Sequence, residues 1–275
     1  MRGARGGVKP KTLNLELRTL NPNPKIIPPS GGMRGAKPTT MKTPHIKTIG
    51  ILQYHLGDIK GDYIQYDFAK IKTYLNAQGK LMFGPHFKLY QEDDELIYKL
   101  CSYFIDDHQT CANLGIDTDK GLLLSGPVGC GKTTLMKLLP QIMPYNKPFE
   151  VVPTRNIIFN FNAKGFEVLA PYSENEVYCF DDLGIESTGC HYGKDCNVMG
   201  EILLSRYDLF CHPERSRRVA PNNQQPRTNN QNKTHITTNL NAKELEDRYG
   251  SRLRSRLRES YNLIGFDKTS KDKRN

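Results

Sequence analysis

Apolar and polar positions in the middle of this chain fall into short runs whose period changes several times. From Glu92 to Asp107, Leu96, Ile97, Leu100, Phe104 and Ile105 recur at helical spacing, which predicts an amphipathic helix. Gly121–Ser125 is a brief apolar run suited to a buried parallel strand. Residues 132–139 read as a helix that stops at Pro140. Phe149–Val152 is a second strand, with Thr154 behind it as a helix N-cap. Val177–Phe180 is a third strand and runs into acids. Val198–Leu209 is a helix with Val198, Ile202 and Tyr207 among its apolar positions. Thr234–Thr238 is a fourth strand. Asn241 and Glu244 then form a capping box, and Gly250 is expected to stop that helix. Strands alternating with helices predict an α/β fold, a mostly parallel sheet with helices on both faces.

Composition qualifies that picture at the ends. Only 37% of the 275 residues are hydrophobic, low for a chain packed throughout. Residues 1–47 hold ten Lys/Arg, one acid, seven Pro and six Gly, and are expected to be a disordered basic tail. Residues 211–233 carry +4 and a run of Asn and Gln, a low-complexity insertion. Residues 248–275 carry +6. These three segments total +19 against +10 for the whole chain, so the remainder carries −9. An acidic body with basic extremities suits a polyanionic partner, nucleic acid first, although a solvated tail has the same composition. The expected organisation is the tail at 1–47, an N-terminal linker or helical region at 48–90, an α/β domain at 91–267 and a basic tail at 268–275.

Some classes drop out. No run approaches the roughly 18 apolar residues of a membrane span, and Asn14, Glu16 and Arg18 interrupt the only candidate secretory segment. Seven scattered cysteines argue against a disulfide framework and for a reducing, cytoplasmic setting. Cys190-His191, Cys196 and Cys211-His212 invite a zinc reading, but their spacings contain no tight C-x₂-C pair.

The strongest chemistry is Gly126-Pro127-Val128-Gly129-Cys130-Gly131-Lys132-Thr133, followed by Thr134, which fits G-x-x-x-x-G-K-[ST] completely. Triphosphate oxygens have to be approached by backbone N–H groups, and side chains at Gly129 and Gly131 would obstruct them. Lys132 supplies charge for the β- and γ-phosphates, Thr133 offers a hydroxyl to Mg²⁺, and the helix beginning there turns its positive end toward the anion. The motif has the strand before it and the helix after it that its chemistry needs. Cys130 fills a free position and is assigned no chemistry. About 48 residues downstream, Phe180-Asp181-Asp182-Leu183-Gly184 ends the third strand. Asp181 suits a Mg²⁺-holding acid and Asp182 one that polarises attacking water; ordinary turn acids are the alternative. Asn239 ends the fourth strand where an amide could orient that water, or it is a turn residue. Arg248, Arg252, Arg254, Arg256 and Arg258 crowd eleven residues, more than surface pairing with Glu246, Asp247 and Glu259 needs.

Together these residues resemble AAA+ P-loop ATPases, specifically bacterial replicative helicase loaders and their insertion-sequence ATP-binding relatives. The resemblance rests on Gly126–Thr134, Phe180–Gly184, Thr234–Leu240, Glu244–Leu257, and Tyr192-Gly193 with Asn197–Tyr207, and covers about residues 85–210 and 233–267. It implies that Asp181 and Asp182 are Walker B acids, that Asn239 is sensor 1, and that Arg256 is an arginine finger, with Arg252 as second choice. It also implies ATP and Mg²⁺ as cofactors, single-stranded DNA binding, a replicative helicase or transposase partner, and a homo-oligomer. Two departures stand out: the insertion at 211–233, and the ten residues after Gly265, too few for a C-terminal helical lid. The function expected is an ATP-hydrolysing replication factor that loads or remodels a ring helicase. A transposition ATPase that selects target DNA, a small-molecule kinase and a nucleotide-dependent switch with little turnover are the alternatives.

Overall fold

A computed structural model of the chain describes residues 16–20, 43–144, 149–173, 176–212, 233–267 and 270–273. The chain divides into two compact units, Met1–Asp93 and Asp94–Asn275. Among the described residues no helix is long and apolar enough to cross a membrane.

In the first unit, β1 (Glu16–Leu20), β5 (Tyr63–Asp67) and β4 (Gly57–Lys60) form an antiparallel sheet in the order β1-β5-β4. β2 (Ile46–Ile49) and β3 (Leu52–His55) form a separate hairpin. α1 (Phe68–Phe83) starts at Asp67, whose carboxylate accepts the backbone N–H groups of Ala69 at 2.8 Å and Lys70 at 3.2 Å. Such a side-chain cap satisfies donors that have no partner within the helix. β1 lies inside the stretch expected to be disordered. Leu17 and Thr19 alternate inward opposite Tyr66 and Ile64, a period-two pattern five residues long that a composition averaged over 47 residues conceals. Residues 1–15 and 21–42 of that expected tail lie outside the described residues, as do 213–232 of the expected insertion.

The second unit opens with α2 (Asp94–Ile105) and α3 (His108–Asn113), then alternates strands and helices. The strand β6 (Gly121–Ser125) leads into α4 (Lys132–Leu138), β7 (Glu150–Pro153) into α5 (Thr154–Lys164) and the short α6 (Leu169–Tyr172). β8 (Tyr178–Leu183) is followed by a hairpin of β9 (Gly189–His191) and β10 (Lys194–Cys196), then α7 (Val198–Cys211). β11 (Thr234–Thr238), α8 (Ala242–Ser260) and β12 (Tyr261–Gly265) complete it. The main sheet has the order β12-β6-β11-β8-β7, every neighbouring pair parallel. It is the expected parallel α/β sheet, with β11 at its centre between β6 and β8. β11 is buried along its whole length, as a strand covered on both faces should be. Ile157, Ile158 and Phe161 of α5, Val198 and Ile202 of α7, and Leu253 and Leu257 of α8 share one core cluster with Phe180 and Ile236 of the sheet.

Two local expectations change and a third is met. Thr154 is the first residue of α5 rather than its cap; the capping position belongs to Pro153, and the Thr154 hydroxyl is used elsewhere. Gly250 breaks α8 as expected: it takes φ 85°, ψ 158°, outside the helical region, and a second helical segment follows it as far as Ser260. The apolar Leu253 and Leu257, both buried, hold that second segment against the core. β12, which the sequence pattern did not reveal, pairs with β6 over its full length and forms the sheet edge. The capping box is as expected: Asn241 accepts from Lys243 N and Glu244 N, while Glu244 accepts from Asn241 N at 2.7 Å.

Candidate functional site

Register places the site. Thr238 of β11 lies level with Ser125 of β6 on one side and Leu183 of β8 on the other, so three adjacent parallel strands end together. The carboxyl ends of such strands are where open α/β sheets bind ligands. Gly126–Gly131, Asp181-Asp182 and Asn239 all leave or close strands at this edge.

The glycine-rich loop has the backbone its composition demands. Gly129 has φ 81° and Gly131 φ 103°, in the region that side-chain-bearing residues rarely enter. Gly131 is also the N-cap of α4 and its carbonyl accepts Leu135 N at 2.9 Å. Pro127, Gly129 and Thr134 are half-buried, and Val128 is exposed. Cys130 is buried, and burial pushes its thiol up despite the neighbouring Lys132, so it is a packing residue rather than a nucleophile.

Lys132 is the centre of the cluster. It is only 5% exposed, and its Nζ donates to Gly126 O at 2.9 Å, Pro127 O at 2.8 Å and Asn239 Oδ1 at 2.7 Å. The ammonium is thus held between its own loop and the end of β11. Thr133 Oγ1 donates to Asp181 Oδ1 at 2.7 Å. Thr237 Oγ1 donates to the same carboxylate oxygen at 2.7 Å and accepts from Asp182 N at 2.9 Å. A chain of contacts therefore links three segments, with 48 residues between Thr133 and Asp181 and 56 between Asp181 and Thr237.

Two adjacent acids on a regular strand would face opposite sides of the sheet. Here the pairing of β11 with β8 slips between Ile236↔Phe180 and Thr238↔Leu183, giving β8 one extra residue. Asp182 takes up that residue at φ 57°, an unusual conformation for a non-glycine residue. Asp181 is buried and Asp182 half-buried. Gly184, at φ 105°, follows; a side chain there would run into Leu240.

The arginines are placed differently from one another. Arg248 meets Glu186, with Nε 3.6 Å from Oε1 and Nη2 donating to the main-chain oxygen. Arg256 is half-buried, its guanidinium 4.7 Å from the centre of the Tyr207 ring, whose hydroxyl donates to Glu259 at 2.6 Å. Arg252 and Arg258 are exposed, and Arg254 Nε donates to Ala242 O at 3.3 Å. The contacts of the phosphate loop described above include neither Arg252 nor Arg256.

Sequence reading missed five participants. Thr237 sits in Thr-Thr-Asn, where its place beside an anticipated strand end was the available signal. Thr154 and Glu186 carry no motif. Phe266 and Asp272 follow β12: Phe266 N donates to Ser125 O at 2.8 Å and Lys273 N to Gly129 O at 3.0 Å, which sets residues 266 and 273 against the glycine loop. A β-carbon on Gly126 would come within 2.7 Å of Phe266 Cβ, and one on Gly129 within 2.2 Å of the Asp272 carboxylate. Among the described residues, no three His, Cys, Asp or Glu side chains gather to hold an ion. The Thr133 hydroxyl and Asp181 carboxylate form instead the sparse, hard-oxygen pair that suits Mg²⁺ shared with phosphates.

No protein-family model matches the chain, and no curated protein matches its sequence. Solved structures with a similar fold include a "putative primosome component" from Streptococcus pyogenes serotype M3, 17% identical, covering 66% of this chain and 83% of that one at a TM-score of 0.40. They also include PCH-2 of C. elegans, 13% identical, covering 68% of this chain and 46% of that one at a TM-score of 0.33.

Proposed function

We propose that this chain binds ATP with Mg²⁺ and hydrolyses it, acting in the cytoplasm as a DNA-replication factor of the helicase-loader type. The observation that carries the reading is the convergence at one sheet edge of Lys132 with Asn239 and of Thr133 with Asp181. A glycine-rich turn that merely connected β6 to α4 would not need a buried ammonium, a second strand's amide and a third strand's carboxylate. Backbone N–H groups of 128–133 cradle the phosphates, and Lys132 leaves its loop carbonyls to meet the β- and γ-oxygens. Thr133 and Asp181 would hold Mg²⁺, which would neutralise the charge developing on the phosphate oxygens. Asp182, one residue further and less buried, takes up the proton of the attacking water. Asn239, next to Lys132 at the end of β11, orients that water.

Arg256, or failing it Arg252, acts on the nucleotide of a neighbouring copy in a homo-oligomer. A guanidinium is always charged and donates in a planar fork to phosphate oxygens. The exposed Arg252 and Arg258, with the basic segments of the chain, supply charge for single-stranded DNA. The same features serve a transposition ATPase, and the partner, replicative helicase or transposase, separates the two. The test is Asp182→Asn. It should bind Mg-ATP within about threefold of wild type and lose at least a hundredfold in turnover, in line with a general-base contribution of about 10²–10⁴. Normal turnover would remove Asp182 from the reaction.

A further inference from the structure

Four residues beyond Asp182, outside every motif, a glutamate side chain is almost completely buried. Glu186 is 5% exposed, and each of its carboxylate oxygens is engaged. Oε2 accepts from Gly184 N at 2.8 Å and from Thr154 Oγ1 at 3.0 Å. Oε1 accepts from the Tyr249 hydroxyl and lies 3.6 Å from Arg248 Nε. A buried carboxylate is costly unless it is paired and hydrogen-bonded in this way.

Its partners come from three places that matter to the site. Gly184 belongs to the turn that follows the strained Asp182. Thr154 opens α5, and its hydroxyl lies 3.1 Å from Asp182 O as well as 3.0 Å from Glu186. A hydroxyl has one hydrogen, so Thr154 shares it between the Asp182 carbonyl and the Glu186 carboxylate. Arg248 and Tyr249 are the last residues of α8 before the kink at Gly250, beyond which lie Arg252, Arg256 and Arg258. Burial and the nearby Glu186 charge push the Tyr249 phenol well above its ordinary value, so it remains a donor.

We propose that Glu186 is a positioning residue: through Thr154 and Gly184 it holds Asp182 in its left-handed conformation, and through Tyr249 and Arg248 it ties that conformation to the arginine-bearing helix. A displacement of α8 by a neighbouring copy or by DNA then reaches Asp182 through one carboxylate. This rests on the ATP-hydrolysing reading above, since positioning Asp182 matters to turnover only if Asp182 acts on water. None of the partners of Glu186 touches Lys132, Thr133 or Asp181 in the contacts described, so nucleotide binding is expected to be spared.

The experiment compares wild type, Glu186→Gln and the milder Tyr249→Phe, which loses only a hydroxyl. Glu186→Gln should lower kcat at least tenfold with KM for ATP within about threefold, and Tyr249→Phe should lower kcat severalfold. The double variant should be no slower than Glu186→Gln alone, because both changes cut one connection. Unchanged kcat in both single variants would overturn the proposal, as would loss of ATP affinity in parallel with kcat, which would mark a general folding role. Should wild type itself show no turnover, the ATPase reading fails, and amide hydrogen exchange decides this one separately. Glu186→Gln should then speed exchange at 182–187 and 245–250 together while leaving β6 and β11 as in wild type. Exchange unchanged at either segment would refute the link.

Discussion

Replacing Thr237 by valine keeps the shape of a side chain that is 0% exposed and removes one oxygen. That oxygen donates to Asp181 Oδ1 at 2.7 Å and accepts from Asp182 N at 2.9 Å. The first loss takes a hydrogen bond from a carboxylate, worth about 1.5–3 kcal/mol. The second leaves a backbone donor beneath the acidic pair without its acceptor, at about 1–3 kcal/mol. Thr133 still donates to Asp181, and the bulge can relax, so the two losses together fall in the lower half of their summed range, about 2.5–4 kcal/mol. Urea unfolding followed by helical circular dichroism at pH 7 measures it, with Thr237→Ser as control. Serine keeps the hydroxyl and should cost about 1 kcal/mol or less, near the value of one buried methyl group. A loss below about 0.5 kcal/mol for Thr237→Val, or equal losses for valine and serine, would show that the hydroxyl does not support the acids and refute the reasoning.

Two further outcomes follow from single residues. Gly131→Ala meets no atom within 4 Å, so its cost is backbone strain at φ 103°, about 1–2 kcal/mol in thermal or urea unfolding, and ATP affinity should fall at least tenfold as the loop N–H groups turn away; unchanged affinity would count against the cradle. His235, buried on β11 with Nδ1 accepting Leu122 N at 3.2 Å, is held neutral by burial with its pKa down to about 3. The unfolded chain therefore takes up this proton first, and stability, complete above about pH 6.5, should fall as pH drops toward 3, by about 2 kcal/mol at pH 5. His235→Asn should flatten that slope whatever its own stability, and an unaltered slope would place the titration elsewhere.

α2, β6, α4, β7, β8, α7, β11 and the first segment of α8 were legible because each is a run of one period, whereas the short α3, α6, β9 and β10 were not. β6, β11 and the Asn241 capping box sit where the pattern puts them. β12 was not legible: Tyr261-Asn-Leu-Ile-Gly265 follows α8 without a turn signal, and only its pairing with β6 defines it. The Gly250 break was legible, but the helical segment that resumes beyond it is held by the burial of Leu253 and Leu257. β1 escaped because Pro and Gly on both sides dominate the composition around five alternating residues. At the site, the phosphate loop, both acids and Asn239 were readable from motif and spacing. Thr237, Thr154 and Glu186 were not, since each acts through a partner 28 to 63 residues away in sequence. The bulge that gives two neighbouring acids different surroundings is likewise a property of strand pairing, which one strand's sequence does not contain.

The central claim is that Lys132, Thr133, Asp181 and Asn239 form a nucleotide site that turns over. The most direct measurement is inorganic phosphate release from Mg-ATP by the full-length chain, with and without single-stranded DNA, in wild type and Lys132→Ala. The account predicts release by wild type that rises with DNA, and release by Lys132→Ala at least a hundredfold lower with the melting temperature within a few degrees of wild type. Equal phosphate release by wild type and Lys132→Ala, or wild-type ATP affinity in Lys132→Ala, would contradict it.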